Sequence, residues 1–120
     1  MTDLSTRAIV ILTTTAGPAE AETIARRLVE SDLAACVQVL DRAKSFYRWE
    51  TRIEFATESL ILIKTTQGKY AAVEAEILSA HRDNGWYQTP EVLAIPVTEG
   101  SPDYLRWLFE SVGARSGDEP

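Results

Sequence analysis

Cysteine, histidine and methionine each occur once in this 120-residue chain, as Cys36, His81 and Met1. A single cysteine excludes an intrachain disulfide framework and points to a reducing, cytoplasmic setting. One cysteine and one histidine also exclude the CxxC and HxxxH spacings of zinc sites. Basic residues are scarce: 12 Lys and Arg stand against 18 Asp and Glu, a formal charge of -6. Nucleic-acid binding draws its affinity from a basic surface, so a nucleic-acid partner is not expected. No apolar run approaches the roughly 20 residues needed to cross a bilayer, so no membrane partner is expected. The polar lead of residues 1–5 does not read as a signal peptide. Glycine-rich phosphate loops and nucleophile elbows are missing too. Carboxylates are present at Glu50, Glu54, Glu58 and Glu91, but nothing in their spacing makes an acid–base pair, and no enzyme is expected.

What remains is an ordinary globular composition, 45% hydrophobic and 25% charged, of a length suited to one domain. We read residues 1–120 as a single domain with a core of about 8–112 and flexible termini at 1–6 and 114–120. Residues 8–12 (AIVIL) form a continuous apolar, β-branched run, the pattern of a buried strand. A first helix opens near Pro18 and carries Ala21, Ile24, Ala25 and Leu28 on one side. A second strand covers 34–40, bounded by the polar residues 41–44. A further extended segment, 45–50, reverses tightly at Thr51-Arg52 into 53–56 and then 60–63. Together these make a long antiparallel hairpin whose tip, with Phe46, Tyr47, Trp49 and Phe55, reaches beyond its own core.

Tyr70, Val73, Ile77 and Leu78 mark a second helix. Residues 81–90 (HRDNGWYQTP) read as irregular because Asn-Gly and Pro punctuate them. A fourth strand spans 91–97, placed at an edge by Pro96, which cannot donate to a ladder. Ser101-Pro102-Asp103 reads as the cap and first turn of a last helix bearing Leu105, Leu108 and Val112. The order β-α-β-β-α-β-α gives an α+β, ferredoxin-like split β-α-β sandwich, with helices on one face of an antiparallel sheet, an extended hairpin and a C-terminal helix.

Five segments in this setting resemble one family: 33–37 (LAACV), 45–50 (SFYRWE), 63–65 (IKT), 87–91 (YQTPE) and 100–107 (GSPDYLRW). Together they are similar to the CutA, or divalent-cation tolerance, family over about residues 8–112. The resemblance implies a protomer similar to the PII signalling proteins, a homotrimer built through its long strands and C-terminal segment, and a role in divalent metal tolerance, with copper or another divalent cation as the associated ion. The chain differs from the usual family pattern at Gln38 and Thr51, and residues 82–86 separate His81 from Tyr87. Thr13 stands where some bacterial members carry a metal-binding cysteine.

Three sets of candidate residues follow. Cys36 and His81 are the candidate metal ligands, with a buried strand cysteine and a helix-ending histidine as the plainer readings. Lys64, Tyr87, Glu91 and Arg48 are candidates for a cleft taking a small anionic ligand, and the aromatic residues around them read equally as interface or core. Phe46, Tyr47, Trp49 and Trp107 are the candidate trimer interface. Binding or signalling is the expected mode of action, with a metabolite sensor or a direct copper buffer as the alternatives.

Overall fold

A computed structural model describes residues 3–113. Its elements run β1 (Ala8–Thr15), α1 (Pro18–Glu30), β2 (Cys36–Trp49), β3 (Arg52–Thr66), α2 (Tyr70–Asn84), β4 (Val92–Pro96) and α3 (Pro102–Val112). The four strands pair antiparallel in the order β2-β3-β1-β4. That is the expected α+β split β-α-β sheet, and β4 lies at an edge as Pro96 requires. Residues 114–120, expected to be flexible, lie outside the described residues. Leu4–Thr6, also expected to be loose, form a short 3-10 turn capped by the Asp3 carboxylate, which accepts from the Ser5 amide at 3.0 Å.

The core follows from two periodicities. Alternation along β1 and β3 turns Ile9, Ile11, Ile61 and Ile63 to one face. Helical spacing on α1 (Ala21, Ile24, Leu28) and α2 (Val73, Ile77, Ala80) covers them. Each fully buried Ile or Leu is worth about 1.5–3 kcal/mol relative to exposure. This layer determines the helix-covered side of the sheet.

The third helix departs from the expectation that all helices share that side. No α3 residue belongs to this core cluster, although Leu108 and Val112 are buried. Lys64 follows Ile63 in β3, so it points to the opposite face, and its ammonium lies 5.8 Å from the Tyr104 ring of α3. The helix therefore lies across the other face and covers only part of it. Leu93 and Ile95, which pair with Leu12 and Val10 on that face, remain exposed. Ser101 occupies the cap position of α3 but makes no side-chain cap hydrogen bond; its carbonyl accepts from Leu105 at 3.0 Å.

The second strand is longer than its sequence suggests. Residues 41–44 do not end it; β2 continues to Trp49 through a bulge between Leu40 and Ala43, with Arg42 at φ 63°. Asp41 accepts a hydrogen bond from the Ser59 hydroxyl at 2.8 Å and so anchors the bulge to β3. The reversal falls at Glu50-Thr51, one residue before the expected place, with Glu50 at φ 58°. The resulting hairpin projects as an arm. It makes the molecule 51 × 30 × 26 Å with a radius of gyration of 15.5 Å, against about 14 Å for a compact chain of this length.

Candidate functional site

The end of α2 builds the most distinctive polar environment in the molecule. Helix α2 runs four residues past the expected end, because residues 81–84 are helical and the Asn-Gly pair acts as a helix stop. Gly85 adopts φ 67°, and the Trp86 amide donates to the His81 carbonyl at 2.9 Å. This left-handed stop folds the chain back over the last helical turn. His81, only 1% exposed, is thereby enclosed. The Trp86 ring meets it edge-on, 5.5 Å between centroids at 88°, and the Tyr87 ring stacks on it at 5.5 Å and 15°.

Two hydrogen bonds hold this arrangement. The Tyr87 backbone N–H donates to His81 Nδ1 at 3.1 Å. The Tyr87 hydroxyl donates to Glu58 Oε2 at 2.6 Å, tying the loop to the base of the hairpin arm. Burial, then the Glu58 carboxylate, push the Tyr87 phenol far above its ordinary value, so it stays protonated as a donor. Burial holds His81 below the ordinary imidazole value of 6.5, partly opposed by the charge of Glu20. His81 Nε2, Glu20 Oε2 and Thr13 Oγ1 are buried without a hydrogen-bond partner among the described residues. His81 also lines a groove of about 500 Å³ together with Leu78, Arg82, Trp86, Tyr87, Gln88 and Pro90.

The sequence candidates distribute unevenly around this feature. Cys36 pairs with Lys64 and shares its face of the sheet, whereas His81 sits in the helix layer on the other side. The two do not meet within one protomer. Among the described residues no three His, Cys, Asp or Glu side chains gather as a metal site. The residues present therefore do not fit a copper ion within one subunit. Of the cleft candidates, only Tyr87 lines the groove; Lys64 lies over Tyr104, Arg48 stands opposite Ile53 near the arm tip, and Glu91 directly precedes β4.

The interface candidates Phe46, Tyr47, Trp49 and Trp107 are all exposed in the single chain. Sequence reading marks Thr13 only as the position of a metal-binding cysteine in some family members and Glu58 only as one carboxylate among several, and it does not place Glu20 at this site. The run of threonines after Leu12 is a further signal that the end of β1 is unusual, since Thr13 and Thr15 stand where a core-facing strand ordinarily carries aliphatic residues, and both are buried.

The comparisons with known proteins agree with this architecture. The model of the family described as CutA1 divalent ion tolerance protein matches residues 9–111. The divalent-cation tolerance protein CutA of Archaeoglobus fulgidus is 44% identical over 93 residues, covering 78% of this chain and 86% of the relative. Its solved structure, described as periplasmic, superposes with a TM-score of 0.81 at 40% identity, covering 88% and 99% of the two chains. The CutA1 structure from Oryza sativa gives a TM-score of 0.83 at 29% identity, covering 91% of this chain and 96% of its own. Family and fold coincide along the whole sheet and all three helices: the chain belongs to the CutA1 divalent ion tolerance family.

Proposed function

We propose that this protein acts in the response to divalent metal as a cytoplasmic homotrimer, by binding or signalling and not by catalysis. The observation that carries the reading is the apolar surface left open by one chain. Phe46, Trp49, Ile53 and Phe55 on the arm, together with Leu40, Leu93 and Ile95 on the sheet, are exposed large hydrophobic residues. Monomeric soluble proteins seldom leave so many clustered. The arm extends past the chain's own core, so only another molecule can cover its rings. A second and third copy, each offering the same open sheet face, supply that cover with closed symmetry.

Two features favour binding over chemistry. The Tyr87 phenol is committed to Glu58 as a donor and does not titrate near neutral pH. The groove beside His81 and Tyr87 combines the apolar walls of Leu78, Trp86 and Pro90 with the polar side chains of His81, Arg82, Tyr87 and Gln88, the mixture of a small-ligand site. In a trimer, Lys64, Arg48 and Glu91 of neighbouring copies are the groups available to complete a cleft for a small anion.

Light scattering on the eluting protein tests the assembly. A mass three times the 13.3 kDa of one chain is expected. A single-chain mass at micromolar concentration overturns the reading.

A further inference from the structure

We infer that His81 is fixed as the tautomer protonated at Nε2, and that this nitrogen serves a buried seat for a small neutral hydrogen-bonding molecule beside Glu20 instead of ligating a metal ion. A neutral imidazole has one N–H and one lone pair. The Tyr87 backbone amide is a donor only, so its bond to Nδ1 takes the lone pair and leaves the proton on Nε2. A metal ion needs the lone pair.

Metal-ligating histidines ordinarily donate their second N–H to a carboxylate or carbonyl, which frees the first nitrogen for the ion. Here the second nitrogen faces a donor, and the polarity is reversed. Moving the proton to Nδ1 would set two N–H groups against each other in a packed interior. Swinging the ring would break its contacts with Trp86 and Tyr87.

The occupant's chemistry follows from the unmatched atoms. His81 Nε2 offers a buried donor and Glu20 Oε2 a buried acceptor, and neither has a hydrogen-bond partner among the described residues. Glu20 is near enough for its charge to act on both His81 and Tyr87. An anion is repelled by Glu20, and a cation finds no lone pair on His81. A molecule that accepts from Nε2–H and donates to the carboxylate satisfies both, and water is the smallest that does. Thr13 Oγ1, also buried without a hydrogen-bond partner among the described residues, faces the same helix layer.

The chain has one histidine, so tag-free protein gives a single imidazole in a long-range proton–nitrogen NMR spectrum. The expected spectrum shows a protonated Nε2 and a bare Nδ1, both unmoved by one equivalent of zinc. A protonated Nδ1, or imidazole nitrogens that shift stoichiometrically with zinc, overturns the inference. A high-resolution crystal structure should place water-sized density within hydrogen-bonding distance of both Nε2 and Glu20; an empty seat, or a direct bond between the two side chains, refutes it. Neither measurement depends on the oligomeric state, so this inference and the proposed trimer stand or fall separately.

Discussion

Phe46 stands opposite Phe55 on the hairpin arm, their rings 5.8 Å apart and 29° from parallel, with 69% and 70% of their surfaces open to solvent. The pair is self-supporting yet wetted, which is the state of an anchor awaiting a partner. Replacing both with serine removes about 1.5–3 kcal/mol of burial per ring from each contact that covers them. The double variant is expected to elute as a single chain with an unchanged far-ultraviolet circular dichroism spectrum. An assembly that persists at full mass assigns the rings no part in it.

The bond between Tyr87 and Glu58 joins positions 29 residues apart. Tyr87→Phe keeps the ring stacked on His81 and deletes only the donor. Glu58 is half-buried, so water can partly replace it, and the loss is expected at the lower end for a bond to a charge, about 1.5 kcal/mol in denaturant unfolding. Glu58→Ala in the Tyr87→Phe background should then add little. Additive losses would show that the two side chains are energetically independent.

Acid should weaken the fold through His81. Its folded-state pKa lies below the ordinary 6.5, chiefly through burial. The unfolded chain therefore takes up the proton first as pH falls. The stability tied to the neutral ring is complete above pH 6.5 and declines below it, until the folded-state pKa is passed. His81→Gln retains an acceptor for the Tyr87 amide and has no such titration. Unfolding free energies at pH 7.5 and 5.5 should differ more for the wild type than for this variant. Equal differences would remove His81 from the acid response.

Gly85 offers a clean backbone test. A Cβ there would meet nothing within 4 Å, but φ is 67°. Gly85→Ala is therefore expected to cost about 1 kcal/mol from conformation alone. Gly85→Asn should cost less, because Asn tolerates the left-handed region. Equal stability for all three would mean that the helix stop relaxes without penalty.

Local pattern made much of this architecture legible. The β-branched run beginning at Ala8, the apolar spacing from Ala21 to Leu28 and the edge position of Pro96 are consequences of short-range rules, and the structure bears them out. Asp41 and Arg42 misled because two polar residues between apolar runs resemble a loop; only the partner strand reveals them as an extra residue within a ladder. Asn84-Gly85 reads as a break, but a glycine that stops a helix and one that makes a turn look alike until the preceding carbonyls are paired.

The side of the sheet taken by α3 was illegible for a different reason. Both faces of β1 are apolar, so its composition favours neither. At the site, His81 and Tyr87 stood out as rare or aromatic residues. Their relation to Glu58 and Glu20 did not, because contacts made across the fold leave no mark on spacing along the chain.

The bulge at Arg42 has a consequence for how insertions and deletions act on this chain. Below it, odd-numbered residues of β2 oppose odd-numbered residues of β3, as with Val37 and Ile63; above it, odd opposes even, as with Ala43 and Glu58. One amino acid thus resets the parity of the ribbon. Gaining one residue between Val39 and Leu40, with the bulge and the Glu50-Thr51 reversal both kept, would set Gln38 opposite Ile63, toward the helix layer, and turn Val37 and Val39 out. Losing Arg42 instead leaves one residue opposite Ser59 and every other pairing unchanged. A one-codon insertion below the bulge is a phase error that no conservative substitution elsewhere in the strand can correct, whereas a one-codon deletion at the bulge is absorbed.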